Sequence, residues 1–206
     1  MDTSTLTALA LVCSLKPSPA ESSSQLLADQ VLAQLATFGI SGSSARLADF
    51  DIRFGVEADM GDGDEWPAVR ERILAADILV VSTPTWMGHM ASIAQLALER
   101  LDAELAIMAA KNRPELYDKV AVVAVVGNED GAHAIIADVF QGLNDVGFTI
   151  PAQGATYWNG EAMHTVDYKD LDATPDAVAS ATAGLAANAA HLAALLHGRG
   201  YPGSHS

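Results

Sequence analysis

Apolar, β-branched runs alternate along the chain with longer segments whose apolar residues recur every three or four positions. The first run, Leu6 to Cys13, predicts a buried strand. Glu21 to Phe38 predicts a helix with Leu26, Leu27, Val31, Leu32 and Leu35 on one face, and Gly39 follows it as a C-terminal cap. A second strand is expected over Ala45 to Ile52, then the acidic loop EADMGDGDEWP and a short helix over Trp66 to Ala75. Asp77 to Ser82 (DILVVS) predicts the third strand, and Ala91 to Ala109 a long helix carrying Ile93, Leu96, Leu101 and Leu105. The run VAVVAVVG, Val120 to Gly127, is apolar at every other position on both faces, as an inner parallel strand should be. A helix over Ala132 to Asp145, a fifth strand starting near Phe148 and an alanine-rich helix over Pro175 to His197 complete the series, with GRGYPGSHS a flexible tail.

Five strands and five helices in alternation, with no internal repeat or linker, predict one α/β domain over residues 1–198 and a tail over 199–206. The sheet is expected to be mostly parallel. In such a sheet ligands bind beyond the carboxyl ends of the strands, so the fold directs attention to three loops.

Those loops are unusual in composition. SLKPSPAESSS follows the first strand, TPTWMGHM the third and GNEDGAH the fourth. The first gathers serine hydroxyls and a lysine just ahead of a helix, whose unpaired backbone N–H groups can hold an anion; capping and turn chemistry is the plainer alternative. The second combines a proline, an indole and a glycine, which suit one wall of a planar ring. The third sets three polar residues between two glycines and permits close backbone approach. Its adjacent acids lack a nucleophile or a base with an orienting partner, so hydrolytic catalysis is poorly supported. Neither a G-x-x-x-x-G-K-[ST] motif nor a complete G-x-G-x-x-G motif is present.

Composition narrows the partners. A hydrophobic fraction of 50% is ample for a buried core, and 26 acidic against 11 basic residues give a net charge of -15. That field opposes nucleic acid and anionic lipid, so a phosphate has to be held locally. Cys13, the sole cysteine, excludes an internal disulfide and a thiolate metal cluster and fits a reducing cytoplasm. The start lacks the basic flank of a signal peptide, and no apolar run reaches the roughly 18 residues that span a bilayer. A soluble cytoplasmic protein is expected. Asp59, Asp62, Asp64 and Glu65 do not match the D-x-[DN]-x-[DN]-G spacing of a calcium loop, so no metal is expected.

The segments SLKPSPAESSS, STPTWMGHMASIAQLALERLD and VVGNEDGAHAIIADVFQGLNDVGFTIPAQGATYW together resemble the flavodoxin-like FMN proteins. The closer resemblance is to the NAD(P)H-dependent FMN reductase and quinone reductase branch. It implies a flavodoxin-like three-layer α/β fold with a five-stranded parallel sheet in the order 2-1-3-4-5. It also implies an FMN phosphate held at Ser14, Lys16, Ser22, Ser23 and Ser24. Pro84, Thr85, Trp86, Met87 and Gly88 would line the isoalloxazine, and Gly127, Asn128, Glu129, Asp130 and Gly131 its pyrimidine edge, with His133 nearby. Tyr157 and Trp158 either cover the ring or finish the packing of the fifth strand. The first loop is lengthened by Pro17, Pro19 and Glu21 relative to the family pattern, and Glu21 is expected to point away from the phosphate.

The function this implies is electron transfer from NADPH or NADH through FMN to a quinone, flavin or similar small acceptor, with no acid–base triad among the protein's catalytic groups. The resemblance further implies a homodimer or homotetramer. A flavodoxin-type electron carrier without efficient NAD(P)H reactivity, and an α/β domain whose three loops are ordinary turns, are the competing readings.

Overall fold

The computed structural model describes residues 3, 5–109, 113–161 and 163–202. In order along the chain the elements are β1 (Thr7–Val12), α1 (Ser23–Ala36), β2 (Ser41–Arg46), α2 (Trp66–Ala75), β3 (Ile78–Trp86) and β4 (His89–Met90). They continue with α3 (Ser92–Leu101), β5 (Met108–Ala109), β6 (Arg113–Pro114), β7 (Val120–Gly127), α4 (Ala132–Asp145), β8 (Ala155–Asn159) and α5 (Asp176–Gly198). The parallel strands lie in the order β2-β1-β3-β7-β8, which is the expected 2-1-3-4-5 once the short antiparallel pieces are set aside.

Alternation along the strands divides the core into two layers. Ala8, Ala10, Val12, Val80, Val122 and Ala124 face α1 and α5, meeting Leu27, Val31, Leu35, Leu185, Ala186 and Ala189. Leu9, Leu11, Cys13, Leu79, Val81, Val123 and Val125 pack on the other face, against Trp66, Val69, Ile73, Ala94, Ile135 and Val139 of α2, α3 and α4. Each fully buried Leu, Ile or Val side chain contributes about 1.5–3 kcal/mol, so these two layers carry most of the stability. By length and hydropathy α5 would qualify as a membrane span, yet its apolar face lies in the first of these layers.

Several boundaries depart from the sequence pattern, each for a local reason. The second strand is the polar stretch Ser41–Arg46, ahead of the predicted Ala45 to Ile52, because it is the sheet's outer strand and its first three residues face solvent. Leu47 to Asp49 instead form a 3-10 turn. The third strand runs on through Pro84, Thr85 and Trp86, and β4 folds back on its end, with Thr85 opposite Met90 and Trp86 opposite His89. The helix predicted to reach Ala109 stops at Leu101 and tightens into a 3-10 turn through Leu105. There Glu104 is buried and accepts from Arg70, whose Nη2 lies 2.9 Å from Glu104 Oε2. Phe148 closes the end of α4, and only Thr149 bridges to Val120; the fifth parallel strand starts at Ala155, beyond Pro151 and the Gly154 turn. At the end of the described chain, Tyr201 donates its N–H to Asp118 Oδ1 at 2.7 Å and its carbonyl accepts from Arg113 Nη1 at 2.8 Å.

The acidic loop is a folded cap. Asp64 accepts from both terminal nitrogens of Arg100, at 3.0 and 2.7 Å, and from the N–H groups of Met60, Arg53 and Trp66. Both side chains are inaccessible to solvent, and the guanidinium lies 5.5 Å from the Trp66 ring centroid. Arg100, foremost, and those backbone donors hold the Asp64 carboxyl well below the usual carboxylate range. No group of His, Cys, Asp and Glu among the described residues is arranged to hold a metal ion.

Candidate functional site

The carboxyl ends of β1, β3 and β7 open into a cleft of about 240 Å³. Ser14, Leu15 and Lys16 line it from the end of β1, Glu21 to Ser24 from the start of α1, and Pro84 to Trp86 from β3. Val126, Gly127 and Asn128 line it from β7, Trp158 from β8, and Asp167, Tyr168 and Lys169 from the segment ahead of α5.

The first loop is a stitched structure in which the hydroxyls have separate tasks. Ser14 Oγ accepts from the Lys16 N–H at 3.3 Å and donates to Lys16 O at 3.2 Å, so it shapes the turn. Ser18 is committed to Asp49, giving its N–H to Oδ1 at 2.6 Å and its hydroxyl to Oδ2 at 2.7 Å. Those two bonds, the backbone one foremost, hold the Asp49 carboxyl below its ordinary range. Arg46, buried at the end of β2, donates from Nη1 to Ala20 O at 2.6 Å and from Nη2 to Gln25 Oε1 at 3.4 Å. Ser22 caps α1 by accepting the Gln25 N–H at 3.2 Å, while Ser23 Oγ accepts the Lys169 N–H at 3.2 Å. Both hydroxyls therefore keep their own proton for an acceptor in the cleft. Ser24 is buried, and its carbonyl accepts from the Ser82 hydroxyl at 2.7 Å, which fixes the first turn of α1 against β3.

The second and third loops meet at the rim. The Met87 N–H donates to Glu129 Oε1 at 2.7 Å. Gly131, at φ +127°, lies so close to Gly88 that a Cβ there would sit 2.7 Å from the Gly88 carbonyl oxygen. Glycine is required at that crossing by both its dihedral and its neighbour. Deeper in the cleft, a Cβ on Gly127 would lie 2.7 Å from the Cβ of Thr85, and Thr85 Oγ1 is buried with no hydrogen-bond partner among the described residues.

Of the residues assigned to a ligand from sequence, Ser14, Lys16, Ser22, Ser23, Ser24, Pro84, Thr85, Trp86, Gly127 and Asn128 line the cleft together. Met87, Gly88, Glu129, Asp130, Gly131 and His133 do not; they form the rim and its supports. His133 Nε2 is 3.1 Å from the Tyr157 hydroxyl, the two rings meeting edge to face with centroids 5.0 Å apart. Trp158 faces the opposite layer and lies in the cleft wall, its ring 5.6 Å from that of Tyr168. Glu21 is on the lining, 3.7 Å from Lys169 Nζ. Asp167, Tyr168 and Lys169 escaped the sequence reading, because they lie well beyond the end of β8 in its long connection to α5 and match no motif; a lysine amid acids was the one available signal.

Residues 6–164 match the family model described as NADPH-dependent FMN reductase. The chain belongs to that family. Over 166 residues it is 35% identical to the 8-demethyl-8-aminoriboflavin-5'-phosphate synthase of Streptomyces davaonensis, a match that covers 76% of this chain and 65% of that protein. A divalent metal cation transporter, MntH of Mycobacterium bovis, is 33% identical over 169 residues, 80% of this chain but only 25% of the transporter. The chain thus spans less than two thirds of the length of either relative. Among solved structures, RosB with the bound intermediate 8-demethyl-8-formylriboflavin-5'-phosphate superposes with a TM-score of 0.86 at 32% identity, covering 95% of this chain and 82% of that one. The apo form of the NADH:FMN oxidoreductase EmoB shares the fold, with a TM-score of 0.62, 18% identity and coverage of 92% and 89%.

FMN and NAD(P)H are the cofactors of the FMN reductase family, and the residues of the cleft fit the flavin. The unpartnered Thr85 Oγ1 is a buried polar group on the cleft lining that a polar ligand would suit, and bare Gly127 leaves the β7 backbone open beside it. At the other end Ser22 and Ser23 offer hydroxyl protons that meet no acceptor among the described residues, next to the first backbone N–H groups of α1, which no helical carbonyl can satisfy.

Proposed function

We propose that the protein passes electrons from NAD(P)H through FMN to a quinone, flavin or similar small acceptor. The observation that carries this reading is the cleft's division of labour in a chain of this family. Anion donors at Ser22 and Ser23 stand at one end, and the unpartnered Thr85 hydroxyl beside the bare backbone of Gly127 at the other.

When bound, FMN supplies acceptance of hydride from the nicotinamide and its release as one or two electrons. The chain's own work is placement. Ser22 and Ser23 hold the phosphate with hydroxyls whose acceptor side is already filled, so their orientation is set before the ligand arrives. Thr85 and Asn128 supply polar contacts along the cleft, and Gly127 keeps a side chain from filling it. Trp86, 55% exposed, gives the ring end an apolar wall, and Met87, 87% exposed, extends that surface past the rim. An adjoining copy in a homodimer or homotetramer is what such a surface would meet, and a reducing cytoplasm is the setting that provides the nicotinamide.

Anaerobic stopped-flow mixing of the flavin-loaded protein with NADPH and with NADH tests the reading: one of them bleaches the flavin band. Failure of both to do so would sink it. The likeness to the aminoriboflavin phosphate synthase and to RosB favours a second reading, in which the flavin phosphate is itself the substrate. Mass spectrometry of the flavin recovered after many turnovers separates the two, since an unaltered mass belongs to the first reading alone.

A further inference from the structure

The family model ends at residue 164, yet Asp167, Tyr168 and Lys169 line the cleft beyond it. This strap is held without help from the lysine side chain. The buried Tyr168 donates its hydroxyl to Gln30 Oε1 at 2.6 Å and packs on Trp158, and Asn128 Nδ2 donates to Asp167 Oδ1 at 3.1 Å. The Lys169 backbone N–H reaches Ser23 Oγ at 3.2 Å, which fixes that residue at the serine seat. Its side chain is 27% exposed, and the ammonium bonds Asp170 Oδ1 at 2.6 Å and stands 3.7 Å from Glu21 Oε2, on the same lining.

We infer that Lys169 and Glu21 form an exchange pair that makes the seat selective for flavins bearing a 5'-phosphate. The inference rests on the flavin reading above and goes past it by naming what recognises the phosphate charge. A phosphate dianion approaching a protein of net charge -15 is repelled at long range, and serine hydroxyls alone offer it no counter-charge. Lys16 is one cation on the lining, and the strap provides a second, fixed at the serine seat. With the seat empty, Glu21 helps to neutralise the lysine. A phosphate accepting from Ser22 and Ser23 takes the ammonium from Glu21, whose carboxylate, 86% exposed, turns to water at little cost. Riboflavin brings no charge and drives no exchange. Thr85 and Gly127, which serve the rest of the ligand, are indifferent to the difference.

The test is fluorescence titration of the purified full chain with FMN and with riboflavin, for the wild type, Lys169→Gln and Glu21→Gln. The wild type is expected to prefer FMN. K169Q loses about 10-fold or more in FMN affinity, the scale of one charge-assisted hydrogen bond, and keeps its riboflavin affinity. E21Q gains about 2- to 5-fold for FMN, because one of the two carboxylates competing for the ammonium is gone while Asp170 remains, and is unchanged for riboflavin. Riboflavin binding thereby checks that each variant is folded. K169Q binding FMN as the wild type does overturns the inference, as does a K169Q that loses both flavins equally. A wild type that binds both flavins alike overturns it and leaves the flavin reading standing; a wild type that binds neither removes both.

Discussion

Asp64→Asn isolates one charge in a closed environment. The variant keeps the shape of the side chain and one carbonyl acceptor, but it leaves the Arg100 guanidinium solvent-inaccessible without a counter-charge. Removing one partner from such a pair costs about 3–5 kcal/mol. Two facts place the cost near the lower bound: Arg100 keeps its bonds to the carbonyls of Glu57 and Arg53, at 3.0 and 2.9 Å, and the Trp66 ring remains beside it. At about 2 kcal/mol per molar urea, a loss of about 3 kcal/mol lowers the unfolding midpoint by roughly 1.5 M. The pH dependence gives an independent check. The native carboxyl titrates below the unfolded one, so ionisation favours the fold. The contribution is full above the unfolded value of about 4 and is lost as pH falls through the native value. The gap between wild type and D64N should therefore be widest at pH 5–7 and about 1 kcal/mol narrower at pH 3. Urea melts followed by tryptophan fluorescence at pH 7, 5 and 3 measure both. Midpoints within about 0.3 M of each other at pH 7, or a gap unchanged at pH 3, would refute the account of the loop as a cap built on this pair.

Thr85→Val removes the unpartnered hydroxyl; the flavin-free protein should be as stable or up to about 1 kcal/mol more stable in urea, while FMN affinity falls several-fold in the titration. Gly131→Ala meets both a positive φ and the Gly88 carbonyl, so it should cost about 2 kcal/mol or more in the same melts and weaken FMN binding by separating the rim loops. Burial pushes the Cys13 thiol up to about 12, so a colourimetric thiol reagent at pH 8 should react only when urea unfolds the chain, and rapid reaction of the native protein would contradict the packing described.

What could be read from sequence follows what the hydrophobic pattern encodes. β7 and β3 lie inside the sheet, so their apolar runs announce them, and the Trp66–Ala75 and Ala132–Asp145 helices keep the bounds their apolar spacing predicts. β2 is an outer strand made of Ser41, Gly42, Ser43 and Ser44 before Ala45; with one side in water it needs no apolar code, and the greasier Leu47, Phe50 and Ile52 pulled the prediction past it. The start of the last parallel strand was misplaced because Phe148 is as buried as a strand residue while serving the end of α4. For the cleft, serines before a helix and glycines after a strand were visible as types. Their division into bound and free hydroxyls was not, because it depends on partners far along the chain: Asp49 for Ser18, and Lys169 for Ser23.

That last bond joins residues 146 positions apart, and it bears on the order in which the protein is completed. A nascent chain that has emerged only as far as β7 already possesses the serine turn, the Thr85 wall and the open backbone at Gly127. It lacks Trp158, Tyr168 and Lys169, and with them one side of the cleft. On the function proposed above, ligand capture is expected to be a late event, awaiting a final quarter of the chain that has folded back over its beginning. Cleavage within the strap should release the ligand even where the sheet remains intact.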